Sequence, residues 1–313
     1  QQRHSEHYLQ VLTESQKLYG QGGEALKQGL ALFDRERSNA QQGWEWARCN
    51  ASTIPGALKL CNQYPDRCRY ISAIRQHPRE IIAWREVALS AAQRSSDKVE
   101  QAAHLSHLGI AYQRLGKHQQ ALGFYKQTLL ICQEIGDRKG EGQALSLLGA
   151  VYFDDGELLH AIHFFQQALP IFREIGSSKD EGHVINNLGS AYRNLNNPRY
   201  AIEFFEQALS IYREIGDRAN EASTLGNLGA TYLDLGEVVQ GDEYQRKHLA
   251  IAREIGDQRS EGTALWNIAV TLNEAGDYKQ AVTNAEAALV IYEQLEDPYA
   301  LTVSEHLDKW RSK

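Results

Sequence analysis

Residues 181–220 read EGHVINNLGSAYRNLNNPRYAIEFFEQALSIYREIGDRAN. The first half carries apolar or small residues at Val184, Leu188, Ala191, Tyr192 and Leu195, the i, i+4, i+7, i+8 spacing of one helical face. Asn196, Asn197 and Pro198 then break the chain, and Pro198 suits the first turn of a second helix. That helix is expected to run to about Ile215 with Ala201, Ile202, Phe205, Ala208, Leu209 and Tyr212 on its apolar side. Gly216 is placed to end it in a left-handed cap, and Asp217 to cap the start of the next helix. Gly189 and Ala201 fall where the two helices would cross, with Tyr192 and Phe205 filling the space around them.

The same pattern recurs every 40 residues from about Val99 to Asp297. Gly-x-x-Tyr appears at Gly109/Tyr112, Gly149/Tyr152, Gly189/Tyr192 and Gly229/Tyr232, then decays to Ala269/Leu272. Glu-Ile-Gly falls at 134–136, 174–176, 214–216 and 254–256 in the same register. One helix pair cannot bury its own apolar face, so a period of this length means stacked helix pairs. The last repeat departs from the pattern, and residues 299–310 read as a final amphipathic helix with Leu301, Leu307 and Trp310 inward. A solenoid needs such a cap to close its apolar end.

Leu148-Gly149, Tyr152, Ala161, Phe165 and Ala168 of the second repeat resemble the tetratricopeptide repeat. Its usual length is about 34 residues; the surplus here lies in a longer second helix and the Glu-Ile-Gly-Asp-Arg turn. That longer form is similar to the repeats of kinesin light chains, of Leu-Gly-Asn-type polarity adaptors and of many bacterial regulators. The resemblance covers about two-thirds of the chain. It implies an all-α fold, a right-handed superhelical solenoid of antiparallel helix pairs with about five repeats and a preceding half repeat. The expected organisation is an irregular helical N-terminal subdomain over 1–78, the solenoid over 79–297 and a capping helix over 298–313.

The N-terminal third is helical but irregular. Gly20–Gly23 and Ala51–Gly56 read as loops, and Leu30, Leu32, Phe33, Trp44 and Trp46 as a small core. His7-Tyr8-Leu9, Gly22-Gly23, the run from Gly29 to Glu36, Asn39, the run from Gly43 to Ala47 and His77-Pro78-Arg79-Glu80 resemble the region after the nucleotide-binding and winged-helix domains of bacterial signal-transduction ATPases with numerous domains, the STAND class. In that class tetratricopeptide repeats come last and act as sensor. The chain opens on Gln1 and contains no Met, so it is expected to be part of a larger protein, and an N-terminal NTPase domain of the same polypeptide is a candidate partner.

Composition sets the outer bounds. With 23% charged and 42% hydrophobic residues the chain is an ordinary folded protein. A net charge of −7 argues against binding nucleic acid through its backbone. No apolar run approaches a membrane span of roughly 18–20 residues, and the polar start carries no secretory signal. Cys49, Cys61, Cys68 and Cys132 form no Cys-x-x-Cys pair and read as free thiols of a reducing cytoplasm.

Catalytic signatures are missing. No Gly-x-x-x-x-Gly-Lys-Ser/Thr loop, Gly-x-Ser-x-Gly or His-Glu-x-x-His occurs, so no cofactor and no enzymatic activity are expected of this chain. His4/His7, His104/His107 and His160/His163 are spaced for one helical face, yet a zinc site needs further ligands, and no metal is expected. Asp154-Asp155 reads as a solvated turn. Glu141, Glu181, Glu221 and Glu261 recur in the first turn of each repeat, which favours the helix N-terminus and marks a structural role.

First helices line the concave surface of such a stack. The position before the recurrent Leu-Gly is His107, Leu147, Asn187, Asn227 and Asn267. An Asn amide offers both a donor and an acceptor, so three in a row can hold the backbone of an extended peptide; in the families resembled here asparagines at this position do so. The alternative is that they bond neighbouring helices. Flanking registers add Asn186, His183, Arg193, Asn194 and Asn273, with Phe153 and Trp266 as aromatic anchors. Trp266 and Arg193 are the first candidates for binding hot spots, although Trp266 equally suits packing against the final helices. Only Arg193 is central and Arg114 lies towards one end, too few cations for gripping a terminal carboxylate as chaperone-tail adaptors do. The expected function is protein or peptide binding in this groove, as a STAND sensor or as a standalone adaptor.

Overall fold

A computed structural model describes residues 1–311 of the chain. Among them all regular structure is helical, and the chain divides into two compact units, Gln1–Asp155 and Gly156–Lys313.

The first unit holds α1 (Gln2–Gln21), α2 (Gly23–Asn50), α3 (Pro55–Arg67), α4 (Arg69–Arg75), α5 (Pro78–Arg94), α6 (Lys98–Arg114), α7 (His118–Ile135) and α8 (Arg138–Asp154). The expected loops at Gly20–Gly23 and Ala51–Gly56 are the α1–α2 and α2–α3 junctions. Helices α1 and α2 form a long hairpin against which α3 packs. Of the expected core, Phe33 and Trp44 are buried and Leu30 and Trp46 line its edge. Two residues outside the sequence reading complete it. Trp84 stacks on Trp44 at 5.2 Å, and buried Tyr64 donates its hydroxyl to the Ser5 carbonyl at 2.7 Å. From α5 onward each helix packs on its chain neighbour.

The second unit holds α9 (Leu158–Glu174), α10 (Ser178–Asn194), α11 (Pro198–Glu214), α12 (Arg218–Asp234), α13 (Val238–Ile255), α14 (Gln258–Glu274), α15 (Tyr278–Gln294) and α16 (Tyr299–Trp310). Here too each helix packs on the next, and α12 also touches α10 and α14. Val184, Leu188, Ala191, Ala201, Phe205, Ala208, Leu209 and Tyr212 are buried as the pattern predicts. Gly189 has a steric reason: a Cβ there would stand 2.7 Å from two ring atoms of Phe205.

The recurrent turns are caps. Gly216 is left-handed at φ 69. Its N–H donates to the Arg213 carbonyl at 3.3 Å, and Asp217 N–H reaches back to the Tyr212 carbonyl at 2.9 Å, the paired bonds of a Schellman ending. Asp217 then accepts the Asn220 N–H at 3.2 Å, and Asp257 accepts that of Ser260 at 3.1 Å. The recurrent glutamates do more than favour a helix start: Arg173, Arg213 and Arg253 donate to Glu181, Glu221 and Glu261 at 2.8, 2.9 and 2.7 Å. Each ion pair ties the end of one helix to the start of the next.

The final helix corrects one expectation. Leu307 and Trp310 are buried but Leu301 is 69% exposed. Val303 takes the inward place, because 303, 307 and 310 follow the i, i+4, i+7 spacing and Leu301 lies on the opposite side.

Candidate functional site

Asn186 and Asn187 lie on α10, Asn227 on α12 and Asn267 on α14, and all four are half-buried. Of the two uses anticipated for them, the bonding of neighbouring helices is seen directly. Asn227 Nδ2 donates to Asn186 Oδ1 at 3.3 Å, and Thr224 Oγ1 lies 3.2 Å from the same oxygen. Asn267 Nδ2 donates to Gln245 Oε1 at 3.3 Å. These long bonds tie neighbouring helices yet use one amide proton each. Among the described residues the carboxamide oxygens of Asn227 and Asn267 accept nothing, and the Asn187 amide has no partner. The row therefore keeps side-chain donors and acceptors without protein partners.

Arg193 donates to Asp234 from Nε at 2.5 Å and from Nη2 at 3.2 Å. The first unit repeats the tie in the same register, where Gln113 donates to Asp154 at 2.7 Å. This column thus links successive first helices. Trp266 stacks on Trp310 at 5.4 Å, with the His306 ring edge-on at 5.3 Å, so it closes the end of the second unit's core. Half-buried His183 sits 5.9 Å from the Tyr212 ring; burial, helped by the Lys179 charge, lowers its pKa. Asn194 is exposed, Asn273 is half-buried with an unpartnered buried Oδ1, and Phe153 is half-buried on α8 of the first unit.

Asn227 and Asn267 line a cleft of about 450 Å³ together with Arg193, Ser223, Gly226, Ala230, His248, Arg259, Ser260 and Thr263. Two residues of this region depart from the two preceding repeats, and a third sits in a column that varies throughout. Gln245 stands where Phe165 and Phe205 stand, His248 where Ala168 and Ala208 stand, and Gly226 where Asn186 stands. The three changes fit one another. A Cβ at residue 226 would lie 2.8 Å from His248 Nδ1, so the ring occupies room that Gly226 leaves. Gln245 is 0% exposed and its Nε2 donates to the Gly226 carbonyl at 3.0 Å. His248 is 4% exposed, and neither ring nitrogen has a hydrogen-bond partner. Burial lowers its pKa, which leaves a neutral ring with one donor and one acceptor. A buried group left unpaired costs about 1–3 kcal/mol. The sequence carried this signal as two second-helix mismatches, Gln245 and His248, and the reading of first-helix columns alone passed over it.

The histidine pair of the first unit belongs to a different arrangement. Asp66, Glu100 and His104 each bring a ligand-type atom within 4.8 Å of the others. Arg85, 2% exposed, donates to Asp66, to His104 Nδ1 at 2.9 Å and to the Pro65 carbonyl at 2.9 Å. A guanidinium only donates, so Nδ1 accepts and Nε2 carries the proton, facing Asn62 Oδ1. The Nδ1 lone pair that a metal would use is taken, and the guanidinium already neutralises Asp66. Burial, then the Arg85 charge, pushes the His104 pKa down to about 4. Burial likewise raises the Cys61, Cys68 and Cys132 thiols to about 11, 12 and 11; none is in a disulfide.

Among the described residues no helix is long and apolar enough to cross a membrane. A comparison with curated proteins gives no match. Among solved structures, BtubC from P. vanneervenii is 23% identical with a TM-score of 0.63, over 70% of this chain and 92% of that one. A Signal Transduction ATPase with Numerous Domains from Pyrococcus horikoshii, with a tetratricopeptide repeat sensor, is 16% identical with a TM-score of 0.62; the match covers 99% of this chain and 53% of that one. A Rap protein complexed with competence and sporulation factor is 13% identical with a TM-score of 0.61, over 87% and 80%. The family profile described as tetratricopeptide repeat matches residues 100–174, 140–214, 180–238 and 220–294. With its stacked helix pairs, caps and repeat period accounted for by that profile over more than half its length, the chain belongs to the tetratricopeptide-repeat family, whose domains bind protein or peptide partners.

Proposed function

We propose that the face carrying Asn187, Asn227 and Asn267 holds an extended peptide or a protein segment, and that the chain is the ligand-sensing domain of a bacterial, cytoplasmic STAND-type ATPase. The observation that carries the binding reading is the set of half-buried carboxamides with free oxygens beside a polar cleft. Such groups hold a peptide backbone independently of its side chains. The sensor reading draws on the likeness to the P. horikoshii protein, which extends over 99% of this chain and so takes in α1–α5, outside the residues matched by the family profile. In this reading the chain is not itself an enzyme, and the nucleotide-binding domain lies outside it. The ligand activates by binding the active arrangement more tightly than the resting one. The likeness to BtubC, most of whose length is matched, favours the second reading, an adaptor without an ATPase. An upstream phosphate-loop segment in the same reading frame separates the two.

The groove is tested with peptides selected by phage display on the wild-type domain. Replacing Asn187, Asn227 and Asn267 together by Ala is expected to weaken their binding at least tenfold at unchanged helicity. Equal affinity of the triple variant rejects the groove.

A further inference from the structure

We infer that the edge of the first unit formed by α4 is a docking surface for an acidic segment of a partner protein, one that sets Leu or Phe among its carboxylates. It makes no use of the asparagine row, which lies in the second unit.

Positive charge is concentrated here in a chain that is acidic as a whole. Residues 67–79 contain Arg67, Arg69, Arg75 and Arg79 and no Asp or Glu, against a net charge of −7. Arg75 pairs with Asp34 at 3.3 Å, whereas Arg67 and Arg69 have no ion-pair partner among the described residues. The Arg69 guanidinium lies over the Tyr70 ring at 4.8 Å. Two clefts of about 500 and 190 Å³ share Arg69, Tyr70 and His107. Their cations are Arg67, Arg69, Arg85 and Arg114, and their acids are Asp66 and Glu100. Arg85 and Asp66 neutralise each other, which leaves arginines in excess over Glu100. His107 Nδ1 donates to the Ala103 carbonyl at 2.7 Å, and burial, then the Arg85 charge, pushes its pKa down to about 4, so the ring adds no charge near neutral pH. Such a field favours an acidic partner and repels a basic one.

Apolar surface accompanies the charge. Tyr70, Ile74 and Val99 are each more than half exposed. Tyr70 and Val99 line the larger cleft, and Ile74 follows Tyr70 by one turn of α4. Ile81, Ile110 and Ala111 line the smaller one, a hollow the size of one large side chain. Exposed apolar side chains gathered in one place mark an interaction site. The helix that carries them is held from behind: Cys68 and Ile71 are buried, and Gln16 Oε1 on α1 accepts the N–H of Tyr70 at 3.2 Å and of Ile71 at 3.4 Å. Binding therefore has little left to order on this side. A nucleic acid would satisfy the arginines and bring no aliphatic group for the hollow, whereas an acidic segment with Leu or Phe supplies both.

The test is fluorescence anisotropy with the full chain and fluorescein-labelled Glu-Glu-Leu-Phe-Glu-Glu, amidated so that no terminal carboxylate takes part. Saturable binding is expected, weaker by about tenfold or more when every Glu of the peptide becomes Gln, and likewise when Leu and Phe become Ala. Arg67→Gln with Arg69→Gln should weaken the probe by about tenfold or more; both side chains are exposed, and an unchanged urea midpoint shows that the fold is kept. Arg199→Gln with Lys279→Gln removes the same charge from exposed positions of the second unit and should leave affinity unchanged. Absence of saturable binding overturns the inference. So does full affinity in the Arg67 and Arg69 variant, or equal affinity for the Ala-substituted peptide, which reduces the surface to a charge effect. Displacement of the probe by an equal concentration of oligothymidylate or of phosphatidylserine vesicles assigns the patch to a nucleic acid or a membrane instead. The asparagine groove is judged separately: its triple Ala variant should bind this probe as wild type does, and loss of binding there places the probe in the groove and removes the α4 surface.

Discussion

Two glycine-to-alanine substitutions in helices should move stability in opposite directions. Gly123 lies exposed within α7, and a Cβ there meets nothing within 4 Å. Alanine is favoured over glycine in a helix interior by about 0.8–1 kcal/mol, so Gly123→Ala is expected to stabilise by roughly that amount. At Gly189 the same gain is opposed by Phe205, two of whose ring atoms would lie 2.7 Å from the new Cβ. Ordinary carbon contacts sit at about 3.5–4.0 Å, so the ring must retreat by about 1 Å. Phe205 is 0% exposed, so the ring can retreat only against buried neighbours. Overpacking of this kind costs about 1–3 kcal/mol, which exceeds the propensity gain, and a net loss of about 1–2 kcal/mol is expected. The assay is urea denaturation followed by circular dichroism, with Phe205→Leu added to complete a double-mutant cycle. Making room for the methyl should recover about 1 kcal/mol of coupling. Stabilisation by Gly189→Ala alone, matching Gly123→Ala, refutes the close-approach account of the repeat's glycine.

Arg193 and Asp234 form a partly exposed pair, and each single substitution by Ala is expected to cost about 0–1 kcal/mol. If Arg193 serves only as a tie between first helices, Arg193→Ala and Asp234→Ala weaken selected peptides to the same small extent; a much larger loss for Arg193→Ala in titration calorimetry identifies a direct ligand contact instead. The pH dependence follows from His104, whose folded pKa is about 4 against an ordinary 6.5. Below pH 6.5 the unfolded chain takes up a proton that the folded chain refuses. Its stabilising contribution, on the order of 3 kcal/mol, is complete above that pH and is lost as the pH falls towards 4. His104→Gln should flatten the slope of urea stability between pH 7 and 5; parallel slopes for variant and wild type contradict the assignment.

Repetition made the fold legible. Val184, Leu188, Phe205 and Tyr212 can be placed from one repeat and checked against three others, and the Glu-Ile-Gly-Asp turn announces a cap by its chemistry. Where repetition stops, legibility stops with it. The stacking of Trp84 on Trp44 and the reach of Tyr64 to Ser5 join residues 40 and 59 positions apart with no periodic marker. Leu301 was misplaced because a twelve-residue helix offers two competing apolar stripes, and only its contact with α15 selects Val303.

By itself the sequence determined the helix pairs, their period, their caps and the columns free to vary, because these depend on residue spacing along one helix and on local turn chemistry. It did not determine what each varied residue does. Trp266 was equally suited to a groove or to an end cap, and stacking on Trp310 settles its packing. Arg193 read as a free cation until Asp234, 41 residues on, was found across from it. His248 and Gln245 drew no attention in the sequence, and packing shows a buried ring without partners opposite a glycine. Hydrogen-bond satisfaction is a property of neighbours in space, so only the tertiary structure could separate a residue whose bonds are complete from one whose polar atoms have no partner.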